Sequence, residues 1–237
     1  MDYPGNGRRT ACDLCPLRQI NVFRKFSEEE LDFMRRFKTG EISVESGALI
    51  LQEGVSSNHL YTVLSGWAFR FNTLPDGRRQ ILNFALPGDF LGLQSSLLTE
   101  MNHSVEALST IQLCVFSRER LWEFYKYHPT LSYDLTWLAA REEQFLDGHL
   151  LNVGRRTALE RIAYLILHLF ARARDVGLSS SNSFSPPLTQ QHLADTLGMS
   201  VVHANKTLRR LHEMKLVYWR RKQLRILDLT KLEKLAH

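Results

Sequence analysis

The chain is poor in cysteine, has no long apolar run and carries no metalloenzyme histidine spacing. Three cysteines in 237 residues cannot supply the disulfide framework of a small loop-rich fold. No stretch approaches the roughly 20 apolar residues of a membrane-spanning helix. The opening MDYPGNGRRTACDLC lacks the apolar core of a secretory signal, so a cytoplasmic location and no membrane partner are expected. Nine histidines are scattered without an H-E-x-x-H spacing, and no nucleophile, base and oxyanion set assembles. An enzyme is therefore not expected. Acidic residues are scarce in one region: from Gly154 onward there are 15 Lys+Arg against 6 Asp+Glu, whereas the first 153 residues hold 15 and 19. A basic final third behind a slightly acidic remainder is the footprint of a DNA-binding domain. The 44% hydrophobic and 23% charged content is otherwise that of a globular protein.

What is present centres on LTQQHLADTLGMSVVHANKTLRRL, residues 188–211. Thr189 is placed to cap a helix of about two turns with Leu193 and Leu197 on one face. Gly198 stands where a left-handed backbone ends that helix without a side-chain clash. Ser200 can cap a second helix, in which Val201, Ala204, Leu208 and Leu211 form an apolar stripe. Its other face offers Val202, His203, Asn205, Lys206, Arg209 and Arg210 to a DNA major groove. A solvated helical hairpin would share this periodicity. Strand-like Leu216–Trp219 and Leu224–Leu227 around Arg220-Arg221-Lys222-Gln223 add a basic wing and favour DNA. The expected DNA-binding residues are Thr189, Gln190, Ser200, Val202, His203, Asn205, Lys206, Arg209 and Arg221.

Along the chain, residues 1–26 form a polar, cysteine-bearing segment (Cys12, Cys15). Ser27 followed by three glutamates resembles a capping box for a helix burying Leu31, Met34 and Phe37. From Glu41 to about Phe116, short apolar runs alternate with turn signals at Gly47, Gly54, Gly66, Pro75-Asp76-Gly77, Pro87-Gly88-Asp89 and Gly92, as in an antiparallel sandwich or barrel. A short helix spans 117–127. Pro129 opens a longer one to about Asn152. In that helix Leu131, Leu135, Leu138, Glu142, Phe145, His149 and Asn152 recur at 4 and 3 residues, a heptad seam expected to pair two copies, although it could simply cover the barrel. Arg155 to Arg174 is one amphipathic helix, and 175–187 a serine-rich loop. The expected division is 1–26, a sensor domain 27–128, a dimerisation helix 129–153 and a DNA-binding domain 154–237.

This order, with LQEGVSSNHLYTVLSGWAFRF, PDGRRQIL and ALPGDFLGL, resembles the Crp/Fnr family of bacterial transcription regulators over about residues 12–230. The resemblance implies an α+β fold: an amino-terminal cyclic-nucleotide-binding-like β-roll, a long dimerisation helix and a carboxyl-terminal winged helix-turn-helix. It also implies a homodimer on a palindromic double-stranded operator, with contacts to RNA polymerase. Departures matter. Leu93 stands where cyclic-AMP-binding members have a ribose-binding glutamate, and His103-Ser104 where an Arg-Ser pair holds the phosphate. Leucine accepts nothing from a hydroxyl and neutral histidine replaces a bidentate guanidinium poorly, which argues against cyclic AMP. The oxygen-sensing branch holds a 4Fe–4S cluster on four cysteines. Cys12, Cys15 and Cys114 match three, while the remaining one falls near Asn21. The cofactor stays open between such a cluster with a non-cysteine ligand such as Asp13, a zinc or redox pair, and idle thiols with Cys114 in the core. The base-reading glutamate and arginine of the family become Val202 and Lys206. The function expected is a dimeric, sequence-specific DNA-binding regulator answering a redox, oxygen or metal signal. The alternatives are control by a small ligand other than cyclic AMP, or a nucleotide-binding module without a DNA role.

Overall fold

The structure, a computed structural model, describes residues 10–220 and 222–236. Helix α1 (Glu28–Phe37) starts with both halves of the capping box between Ser27 and Glu30 and buries Leu31, Phe33 and Phe37. The roll follows: β1 (Lys38–Val44), β2 (Leu49–Leu51), β3 (His59–Ser65), β4 (Ala68–Thr73), β5 (Arg79–Ala85), β6 (Phe90–Leu91), β7 (Ser104–Ala107) and β8 (Ile111–Ser117), with a short helix α2 (Leu93–Leu98) after β6. Two four-stranded sheets result, ordered β1-β8-β3-β6 and β2-β7-β4-β5. Their inward residues, among them Val63, Ala68, Val105, Ile111 and Leu113, form a core with almost no exposed surface. The Pro75-Asp76-Gly77 turn forms as expected. Gly77 takes φ +85°, a region costly for any residue with a Cβ, and its N–H donates to the Leu74 carbonyl.

Helix α3 (Leu121–Tyr127) leads to α4 (Pro129–Arg155), α5 (Ala158–Asp175), β9 (Ser179–Ser180), β10 (Ser183–Phe184), α6 (Gln190–Leu197), α7 (Val201–Glu213), β11 (Val217–Arg220), β12 (Gln223–Ile226) and α8 (Leu229–Ala236). The chain separates into two compact units. One holds the chain up to Arg70 together with Phe84–Glu143; the other holds Phe71–Asn83 and everything from Gln144. The tip of the β4–β5 hairpin thus groups with the helix-turn-helix unit, apart from the 27–128 expected for the sensor. In that unit Arg79 pairs with Asp195 of α6, and Gln80 donates to the Thr196 carbonyl.

The heptad seam needs correction. Leu131 and Leu135 are buried inside their own chain, in the cluster of Phe33, Phe37, Phe116 and Phe124. Phe145 and His149 are also buried, with the Phe145 ring 4.2 Å from His168 of α5. Asn152 is fully buried and donates to the Arg161 carbonyl, and Glu142 pairs with Arg70. A 4-and-3 spacing marks an apolar face, and it cannot say whether a second copy or the same chain covers it. Here the same chain does. A parallel stripe, Ala139, Glu143, Leu146, Leu150 and Val153, has the same spacing on another face, and Leu150 is 71% exposed.

Two further differences arise after α5. The serine-rich stretch contains the β9–β10 pair, and β10 joins β12 to complete a sheet ordered β11-β12-β10-β9. Phe184, buried against Phe170, anchors it. Helix α8 was not expected either. Asp228 accepts from the Lys231 N–H at its start, and Leu232 is fully buried.

Candidate functional site

Local chemistry fixes the reading surface. Thr189 Oγ1 accepts from the His192 N–H at 3.2 Å, while His192 Nδ1 accepts from the Thr189 N–H at 3.1 Å. A neutral imidazole thus takes the part usually played by Glu or Gln in a capping box. Burial, and then the Arg79 charge, hold His192 below its ordinary pKa, which keeps it an acceptor. Gly198 ends α6 at φ +63°, and Ser200 accepts from the His203 N–H to start α7, a cap that contributes about 0.5–2 kcal/mol. Ala204 and Leu211 are fully buried, which fixes the rotation of α7.

That rotation turns Val202, His203, Lys206 and Arg209 outward, and Val202, Lys206 and Arg209 follow one another at i, i+4 and i+7. Val202 is 78% exposed, an unusual setting for a valine and one suited to a thymine methyl. Asn205 is half-buried on the flank, and its Oδ1 is buried with no hydrogen-bond partner. It faces a groove of about 570 Å³ walled by Thr189 and Gln190 on one side, Arg209 and His212 of α7, and Tyr218 to Arg220 and Lys222 of the wing. The groove joins the start of α6, where N–H groups and the helix dipole favour anions, to wing cations suited to a phosphate backbone. The sequence reading missed Tyr218, Arg220, Lys222 and His212 as groove residues, although the basic wing was its signal. Arg221 lies outside the described residues.

The structure gathers the three cysteines into one region. Glu41 of β1 sits opposite Cys114 of β8 in the strand register. The Thr10 N–H donates to Glu41 at 2.8 Å and the Thr10 carbonyl accepts from Lys38 at 2.7 Å, which docks the segment carrying Cys12 and Cys15 onto β1. Cys15 packs on the core cluster that contains Cys114. Lys38, ion-paired with Glu41 and largely buried, acts electrostatically on all three thiols. Lys38 is thus the cation common to the three thiols, while Arg18 donates to the Asp13 carbonyl. Burial outweighs the ammonium: all three thiols are raised above their ordinary range, Cys114 to about 12. Three thiols and a buried Lys–Glu pair meet here, one cysteine short of the four that hold a 4Fe–4S cluster. Among the described residues no group of three or more His, Cys, Asp or Glu is arranged to hold a metal ion. Asp13, the candidate fourth ligand, is engaged by Arg35.

In the roll, Leu93 packs against the core cluster and offers no acceptor. His103 is buried, and Ser104 Oγ is taken up by the Glu53 N–H at 3.1 Å. At this pair the histidine itself supplies no guanidinium; the one beside it belongs to Arg70 of β4 and donates to His103 Nε2 at 2.9 Å. No helix among the described residues is long and apolar enough to cross a membrane.

A capped, rotationally fixed helix with a cationic outward face beside a basic wing, following a β-roll in the chain, has the make-up of a DNA-binding transcription regulator. Residues 41–128 match the model of the cyclic nucleotide-binding domain and 160–235 that of the Crp-like helix-turn-helix domain. The chain is 31% identical over 228 residues to the nitrogen fixation regulation protein FixK of Bradyrhizobium diazoefficiens, covering 95% of this chain and 93% of that one. It is 29% identical over 193 residues to the transcriptional activator protein FnrL of Cereibacter sphaeroides, covering 80% and 77%. The solved structure of FixK2 from Bradyrhizobium japonicum superposes with a TM-score of 0.76 at 26% identity, over 83% of this chain and 96% of that one. The chain belongs to the Crp/Fnr family of transcription regulators.

Proposed function

We propose that two copies pair through the outward stripe of α4 (Ala139, Glu143, Leu146, Leu150, Val153) and insert their α7 helices into successive major-groove faces of a palindromic operator. Half-sites then lie about one helical turn apart. Val202, Asn205 and Lys206 read bases; Arg209, Arg220, Lys222, Thr189, Gln190 and Ser200 hold the backbone, with His203 at the edge of the reading face. The observation that carries this reading is the outward face of α7, whose cations and exposed valine have no described partner in the chain and flank the groove. The bound dimer activates transcription by touching RNA polymerase, a reading supported by relatives named as activators. Selection of operators from random duplexes, followed by affinity measurements over a salt series, tests it. A chain that enriches no two-fold sequence contradicts it.

The signal enters at Cys12, Cys15 and Cys114 as thiol oxidation. Two thiols form a disulfide and pass two electrons and two protons to hydrogen peroxide, which leaves as two waters. The Thr10–Lys38–Glu41 tie supports this reading because it fixes the amino-terminal thiols beside Cys114. Iron and zinc analysis after anaerobic purification, with operator affinity of the three Cys→Ser variants with and without hydrogen peroxide, tests it. Stoichiometric iron, or variants that answer peroxide as the parent does, contradicts it.

A further inference from the structure

The interior of the roll is bridged by its own side chains. Arg70 on β4 donates from Nε to Nε2 of His103 at 2.9 Å and pairs through Nη1 with Glu142 of α4. All three belong to the same compact unit. His103 is 3% exposed; burial and then the Arg70 charge push its pKa down to about 3, so at neutral pH it is uncharged and accepts. The Arg70 side chain is 16% exposed and that of Glu142 28%. A guanidinium so placed is satisfied on one side by an imidazole and on the other by a carboxylate. It ties a roll strand to the long helix without any diffusible component.

We infer that Arg70 is an internal effector: its bridge from His103 to Glu142 sets α4 in the DNA-binding arrangement, so operator binding needs no small molecule in the roll. This rests on the DNA-reading function above and specifies its regulation. An anionic ligand would compete with Glu142 for Arg70, and a cationic one would meet the Arg70 charge. Neutral His103 has one acceptor, Nε2, which Arg70 takes, so the proton sits on Nδ1. The bridge matches a role in which the helix is positioned permanently, leaving gating to the thiols.

The test uses the full chain and an operator it selects from random duplexes. One sample is unfolded in guanidinium, dialysed free of small molecules and refolded; a second is left native. The stripped and native samples should bind the operator within twofold of one another, and millimolar cyclic AMP or cyclic GMP should change neither. Arg70→Gln and Glu142→Gln should each weaken operator binding tenfold or more. Random-duplex binding, helix content and dimer mass should stay as in the parent. The exchanged pair Arg70→Glu with Glu142→Arg should recover part of the loss. Since Glu142 is partly exposed, Glu142→Gln gives the readout if the Arg70 variant does not fold. A stripped protein that regains operator binding only when a nucleotide is added, or a Glu142→Gln variant with parental affinity, overturns the proposal while leaving DNA reading intact. A native parent that selects no operator contradicts the DNA-reading function and the proposal with it.

Discussion

The two ends of the molecule treat their charged groups in opposite ways. On α7, Lys206 and Arg209 face outward with no described partner, whereas in the roll Arg70, His103 and Glu142 satisfy one another. The same contrast holds on α4, where Leu135 is 5% exposed in a core of aromatics and Leu150 is 71% exposed. Groups left unsatisfied at a surface are where a second molecule supplies the missing partner. Groups satisfied internally set the geometry in which that surface is presented.

The contrast breaks first at Leu150. Leu150→Asp should leave the fold of each chain intact while splitting the dimer, because the side chain contributes little to its own core. Loss of the second half-site then lowers operator affinity by roughly 10²–10⁴, measured by sedimentation and DNA titration together. Leu135→Ala should do the reverse. Cavity formation costs about 2–5 kcal/mol of stability, and denaturant unfolding monitored at low protein concentration should show it without loss of dimer mass in the folded fraction.

A pH titration sharpens the account of the inner site. Above the ordinary imidazole pKa of 6.5, His103 is neutral both folded and unfolded and has no effect on stability. As pH falls below that value, the unfolded chain takes a proton that buried His103 refuses until about pH 3. Stability should therefore drop by ~1.4 kcal/mol per pH unit through this window from this group alone. His103→Gln should flatten that part of the profile; an unchanged slope would show that His103 is not held neutral. The smallest expected effects concern rates and salt. Iodoacetamide should label Cys12 and Cys15 before Cys114, whose thiol is raised furthest, and Lys38→Met should slow the first two further. Lys222→Ala should reduce the salt slope of DNA binding by about 0.9 with no change in sequence preference.

What the sequence displayed was local. Thr189, Gly198 and Ser200 are caps and a stop whose chemistry acts within four residues, and the apolar stripe of Ala204 and Leu211 fixes the rotation of α7 without reference to the rest of the chain. Pro75-Asp76-Gly77 is legible for the same reason. What stayed hidden was long-range. Arg70 reads as one charge in a strand until His103, 33 residues on, and Glu142 on α4 supply its partners. Lys38 and Glu41 acquire meaning only when β1 pairs with β8 and Thr10 docks beside them. The seam of α4 failed for a related reason: its period was correct, but the core that covers Leu131 and Leu135 includes Phe33 and Phe37, over 90 residues away. The resemblance to a family filled the gap for architecture, while the departures at Leu93, His103 and Val202 had to be resolved residue by residue.

The central claim is that the outward face of α7 reads sequence. It is tested most directly by titrating Lys206→Ala and Asn205→Ala against the selected operator and against random duplex over a salt series. The account predicts a loss of about 1–3 kcal/mol per substitution on the operator, little change on random DNA for Asn205→Ala, and relaxed preference at the contacted base pair. Equal loss on both DNAs, or none on either, would contradict it.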